Sequence, residues 1–188
     1  MTESTTTEHD LTAAQLRAIA RNATPPQRGD FETIRSQLGR PPRGLVAIGA
    51  RCACGRPAVT ITAPRLPDGS PFPTLFYMTL PYLVKAMSRL EAAGAMVGMN
   101  NDLASDLELA AAHAHAHREY IARRTILGDV PEIANVSAGG MPDRVKCLHA
   151  LAAFALSVGQ GVCVMGDRAL ESIGWDPGVC HCGEVDAA

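Results

Sequence analysis

The chain has 188 residues, enough for one domain with a full hydrophobic core. Apolar residues make up 47% of it and aromatic residues only 4%, so alanine carries much of the core, which reads as helix-rich and closely packed. The net charge of −2 excludes general nucleic-acid binding, and no apolar run is long enough to span a membrane.

In chain order, residues 1–9 read as a disordered tail, residues 10–175 as a single domain and residues 176–188 as an irregular tail. The polar opening MTESTTTEHD lacks the apolar stretch of a signal peptide. A cytoplasmic location is therefore expected, where the six cysteines serve as thiols or ligands and not as a disulfide frame. Asp10 is read as the cap of a helix over 11–22, which Thr24-Pro25-Pro26 breaks. A second short helix fits 31–38 and stops at Gly39.

Three strands follow, at 45–52, 58–63 and 74–79, with Cys54-Gly55-Arg56-Pro57 as a hairpin turn between the first two. The spacing leaves no room for a crossover helix between those two strands, so an antiparallel or mixed sheet is expected. Pro81 opens a helix that Gly94 ends. A long helix is predicted over 101–125, with Leu103, Leu107, Ala110, Ala114 and Ile121 as its apolar stripe. The last two helices are placed at 142–158, entered through a Ser137–Met141 loop, and from Asp167 to about residue 173. The fold class is α+β: a sheet of about three strands packed by four to five helices.

Four groups of residues carry chemistry. The loop and helix start SAGGMPDRVKCLHAL (137–151) joins Gly139-Gly140 to Arg144, Lys146, Cys147 and His149. Backbone amides at a helix entrance with cations beside them suit an anion, although Asp143 opposes it. Six arginines and no acidic residue lie between Thr33 and Pro67, among them Arg43, Arg51 and Arg56, and arginine forks grip phosphate or carboxylate in bidentate fashion. His113 and His117 are four apart and share a helix face. Cys147 and His149 are two apart on the predicted 142–158 helix, so they diverge by about 200° and cannot easily chelate one ion together. Cys52-Ala53-Cys54 and Cys180-His181-Cys182 are two CxC pairs. They make a four-thiolate zinc site only if the tail returns to the sheet, and they lack the usual CxxC knuckle, so this reading ranks below the anion reading.

The segments QLGRPPRG (37–44), RCACGRPAV (51–59), PFPTLFYMTLP (71–81), SRLEAAG (88–94) and SAGGMPDRVKCLHAL closely resemble a bacterial family, the domain-of-unknown-function family 501. The composition resembles that of actinobacterial members. The resemblance implies no established activity. It implies Cys52, His117, Cys147 and His149 as characteristic positions. It also implies a cysteine where this chain has Leu80, a histidine where it has Phe154, and Asn-Pro at Cys163-Val164, departures that fit a divergent paralogue. Similar members lie in genomes beside a cell-division membrane protein and an exopolyphosphatase.

Three functions follow as expectations. The first is binding of, or chemistry on, a small anionic, phosphate-like ligand held by Arg43, Arg51, Arg56, Gly139, Gly140, Arg144 and Lys146. Under it, His117, His149 and Cys147 are the candidate catalytic groups, and Cys52, His117, Cys147 and His149 the candidate metal ligands. The second is a non-catalytic adaptor with a protein partner in envelope or division processes. The third is a structural zinc protein.

Overall fold

β-Branched and apolar residues on both sides of Cys54-Gly55-Arg56 pair as an antiparallel hairpin, and the rest of the chain is built on it. The computed structural model describes residues 11–183. The strands are β1 (Leu45–Arg51), β2 (Pro57–Thr62) and β3 (Phe76–Met78), in the order β1-β2-β3, antiparallel throughout. Ile48 faces Thr60, and Thr60 faces Tyr77. All six residues of β2 are buried, as expected for the central strand. The helices are α1 (Ala13–Ile19), α2 (Asp30–Leu38), α3 (Pro81–Ala92), α4 (Ala95–Ser105), α5 (Leu107–Thr125), α6 (Leu148–Val158) and α7 (Val164–Ser172). The architecture is α+β, as the sequence implies.

The opening tail and the cap read at Asp10 lie outside the described residues. α1 starts after Thr12, whose hydroxyl accepts from the Gln15 amide while the Gln15 carboxamide oxygen accepts from the Thr12 amide, a reciprocal capping box. α2 ends on Gly39, whose φ of +68° favours glycine.

α6 is the central helix. Leu148, Leu151, Ala152, Ala153, Phe154, Ala155, Ser157 and Val158 are buried, against the sheet, α3 and α7. Phe154 stacks on Phe76 of β3 at 5.4 Å, and Tyr120 of α5 meets both rings edge-on at 5.1 and 5.7 Å. α7 crosses α6 so closely at Gly166 that an added Cβ would lie 2.1 Å from the Leu151 carbonyl oxygen.

Two expected helices differ. The predicted 101–125 helix is two, α4 and α5, divided at Asp106, whose carboxylate accepts from the Glu108 and Leu109 amides as an N-cap. Of the expected apolar stripe, Leu103, Ala110, Ala114 and Ile121 are half-buried and Leu107 is 87% exposed; the fully buried face is Leu109, His113, Ala116, Tyr120 and Arg124. Tyr120 and Arg124 are satisfied by the loops they hold. Tyr120 Oη accepts from the Leu75 amide at 2.6 Å, and the Arg124 guanidinium donates to the carbonyls of Pro73, Ile133 and Val136. An alternation of alanine and polar residues hides such a face, because periodicity scores only apolar side chains.

The helix expected from Pro142 begins six residues later, at Leu148. Residues 142–147 are held outside the helix by other partners. The Arg144 amide donates to the Gly140 carbonyl, and the Lys146 and Cys147 amides both donate to that of Gly139. The Asn100 side chain takes both the amide and the carbonyl of Val145.

Arg51 reaches back across the sheet to Asp30 at the start of α2, bonding both carboxylate oxygens at 3.0 and 2.7 Å. The Arg51 hydrogen bond, opposed by burial, holds the Asp30 carboxyl below its usual range.

Two predictions follow from this packing. Gly166→Ala should lower unfolding free energy by about 1–3 kcal/mol through overpacking, read from urea denaturation. An unchanged midpoint would mean that α6 and α7 separate freely. Asp30→Asn should cost about 1–3 kcal/mol at pH 7. A lowered folded-state carboxyl stabilises above the unfolded value of about 3.9, and that stabilisation is lost as the pH falls through the folded value. The wild-type advantage should therefore shrink between pH 5 and pH 3, and a pH-independent difference would rule out the charged pair as its source.

Candidate metal and ligand sites

Local turn geometry assembles the first cluster. In the β1–β2 turn the Gly55 amide donates to the Cys52 carbonyl at 2.8 Å and the Cys52 amide to that of Arg56 at 2.9 Å. Gly55 sits at φ +86°, open to glycine without strain. This tight turn presents Cys52, buried, and Cys54, exposed. The C-terminal segment returns to meet them. The Trp175 amide donates to the Leu170 carbonyl, and His181 stacks on Tyr82 of α3 at 4.4 Å with Trp175 5.0 Å away. His181 stands between Cys180 and Cys182, so its stacking carries both sulfurs to the hairpin.

Cys54 Sγ lies 3.4 Å from Cys182 Sγ, and the sulfurs of Cys52, Cys54, Cys180 and Cys182 all lie within 4.8 Å of one another. A zinc tetrahedron with bonds of about 2.3 Å has sulfur–sulfur edges of about 3.8 Å. A disulfide would need about 2.05 Å. Burial pushes the Cys52 thiol up, but the amides of Cys54 and His181 and the Cys182 and Cys54 thiols outweigh it and bring it to about 7. Burial, then the facing sulfurs of Cys54 and Cys52, push Cys182 up. One thiolate is thus well supported, while four need a cation among them.

The second cluster lies where α3 meets the start of α6. Glu91, in the last turn of α3, accepts the Leu148 amide at 2.7 Å, so the protein's own carboxylate occupies the N-terminus of α6. Cys147 is the residue before the helix, with extended backbone, so the 100° helical step does not separate it from His149. Its Sγ is 4.0 Å from His149 Nδ1, which is 3.2 Å from Glu91 Oε1. His149 Nε2 donates to the Val84 carbonyl at 3.0 Å and lies 3.2 Å from Ser88 Oγ. The Cys147 contact above all, and then Glu91, raise the His149 imidazole to about 9 despite burial. The His149 hydrogen bond in turn lowers Cys147. Cys147 and His149 line a cleft of about 540 Å³ between α2, β3, α3 and α6, shared with Gln37, Tyr77, Thr79 and Lys85.

The other sequence-derived residues are dispersed. Arg43 is paired with Asp68 at 2.9 Å and Arg51 with Asp30. Arg56, Arg144 and Lys146 are exposed. Gly139 and Gly140 answer to packing: a Cβ on either would lie 2.6 Å from Leu151 or from the Arg144 carbonyl. His117 Nδ1 meets Ser137 Oγ at 2.8 Å, and buried His113 meets the Arg144 carbonyl at 3.2 Å. Burial, chiefly, lowers the pKa of both imidazoles. The four residues Cys52, His117, Cys147 and His149 therefore do not form one group: Cys52 joins the tail sulfurs, and Cys147 and His149 join Glu91. Glu91 is the residue that sequence reasoning missed. It stands inside SRLEAAG, but nothing in that segment shows that it faces Leu148. Leu80 and Phe154 are buried apolar packing and belong to neither cluster.

No helix among the described residues is long and apolar enough to cross a membrane. No curated protein and no solved structure matches the chain. A family model described as "Protein of unknown function (DUF501)" matches residues 48–171, a span that contains Cys52, Cys54, Glu91, Cys147 and His149 and stops short of Cys180 and Cys182. With more than half its length matched, the chain belongs to the domain-of-unknown-function family 501.

Proposed function

We propose that this is a zinc-binding domain in which Cys52, Cys54, Cys180 and Cys182 hold one ion that fastens the C-terminal segment to the β1–β2 turn. The observation that carries the reading is the approach of four sulfurs, from two segments 128 residues apart, to within 4.8 Å of one another. Amides aimed at Cys52 and the Tyr82–His181–Trp175 stack support it, because both orient the ligands before a metal arrives. The ion's role is structural: four thiolates close the coordination shell and leave no position for substrate. Metal binding of this kind is coupled to folding of the segment it ties down.

The protein purified under reducing conditions and reconstituted with zinc should lose one equivalent of metal in the double variant Cys180→Ser/Cys182→Ser, measured by elemental analysis. Saturation at about a hundredfold above Kd adds about 2.7 kcal/mol, so chelation should lower Tm by roughly 5–10 °C. A double variant that retains the wild-type metal content would overturn the reading.

A second reading, recognition of a small anionic ligand, draws support from the cleft beside α6. Lys85 and His149 line it, and its walls are largely apolar. Inorganic phosphate should raise Tm in a dose-dependent manner if the cleft binds an oxyanion; a flat response up to tens of millimolar would dismiss it.

A further inference from the structure

We propose that Glu91, Cys147 and His149 form a second transition-metal site, with three protein ligands and one open position facing the cleft, where a small oxyanion completes the shell. The metal site stands independently of the tail site; the ligand class rests on the small-anion reading above.

The geometry comes first. Sulfur–nitrogen and nitrogen–oxygen edges of a zinc tetrahedron are about 3.6 and 3.3 Å for bonds of about 2.3 and 2.0–2.1 Å. The corresponding separations here are 4.0 Å for Cys147 Sγ to His149 Nδ1 and 3.2 Å for His149 Nδ1 to Glu91 Oε1. All three ligand atoms lie within 4.8 Å of one another. Modest closure of the sulfur, on a residue with extended backbone just outside the helix, brings the set to bonding distance.

The surroundings point the same way. A ligating histidine ordinarily donates its other ring N–H to a carbonyl or carboxylate, which fixes ring orientation and basicity. His149 Nε2 does so to the Val84 carbonyl at 3.0 Å, leaving Nδ1 as the ligand atom. The Leu148 amide orients the Glu91 carboxylate in the same manner at 2.7 Å and leaves it lone pairs for a metal. The acceptor-rich triad of a carboxylate, a thiol and an imidazole around one point calls for a cation, whether a proton on the ring or a metal ion.

The adjoining space is a cleft in which Gln37, Thr79 and Lys85 stand beside Cys147 and His149. Three protein ligands with a fourth position open is the arrangement of catalytic zinc sites, whereas the four-sulfur site is closed. A metal-bound water, or an oxyanion that displaces it, is what such a position takes.

The test uses cobalt(II) as a spectroscopic substitute for zinc. The Cys180→Ser/Cys182→Ser variant should still bind one cobalt per chain, with visible bands of a tetrahedral site and weak thiolate charge transfer in keeping with one sulfur. Inorganic phosphate should shift those bands. In the otherwise wild-type chain, Glu91→Gln and Cys147→Ser should each lower the total from two equivalents to one while leaving the four-sulfur spectrum intact. If these variants keep two equivalents, or if the wild-type chain never exceeds one, the second site does not exist. If cobalt binds but phosphate leaves its bands unchanged, the open position for an oxyanion is refuted. Failure of the tail site alone removes a different equivalent, with a different spectrum, so the two proposals fall separately.

Discussion

The structure depends on the placement of α6, an apolar helix sealed on nearly every side. Its residues from Leu148 to Val158 fill the space between the sheet, α3 and α7, and the ring cluster of Phe76, Tyr120 and Phe154 fixes its distance from β3. A helix buried this deeply needs its first amides satisfied, because an unpaired buried N–H costs about 1–3 kcal/mol. Glu91 meets that need from α3. The same carboxylate thereby comes to lie against His149 and near Cys147. A structural requirement at the start of one helix has brought a carboxylate together with a thiol and an imidazole at the edge of a cleft.

The two clusters differ in how the fold builds them. The four sulfurs come from a hairpin turn and from an irregular terminal segment, and the stack of Tyr82, His181 and Trp175 helps hold that segment before a metal does. Glu91 and His149 stand on two helices packed against each other, and Cys147 immediately precedes the second. Sites on rigid elements keep their geometry more closely than sites on loops. The first arrangement suits a metal that stabilises and the second a metal that meets a ligand.

Much of the fold was legible in the sequence. The β1–β2 turn followed from Cys54-Gly55-Arg56-Pro57 between two β-branched runs, and α3 from Pro81 at one end and Gly94 at the other. The split between α4 and α5 was not read, although Asp106 is a good capping residue, because the residues around it continue to suit a helix. The start of α6 was misplaced because Asn100 and the carbonyls of Gly139 and Gly140, which hold 142–147 out of a helix, are tertiary partners invisible to local pattern. That displacement mattered for chemistry, since helical spacing wrongly separated Cys147 from His149. The paired CxC segments were visible, but the return of the tail was not. It depends on a histidine ring finding a tyrosine a hundred residues earlier.

The central claim is that four sulfurs at the β1–β2 turn coordinate a metal. X-ray absorption at the zinc edge, on protein carrying one equivalent of zinc, tests it most directly. The account predicts a shell of four sulfur atoms at about 2.3 Å, the distance of zinc thiolate bonds. A first shell dominated by nitrogen and oxygen at about 2.0–2.1 Å would contradict it.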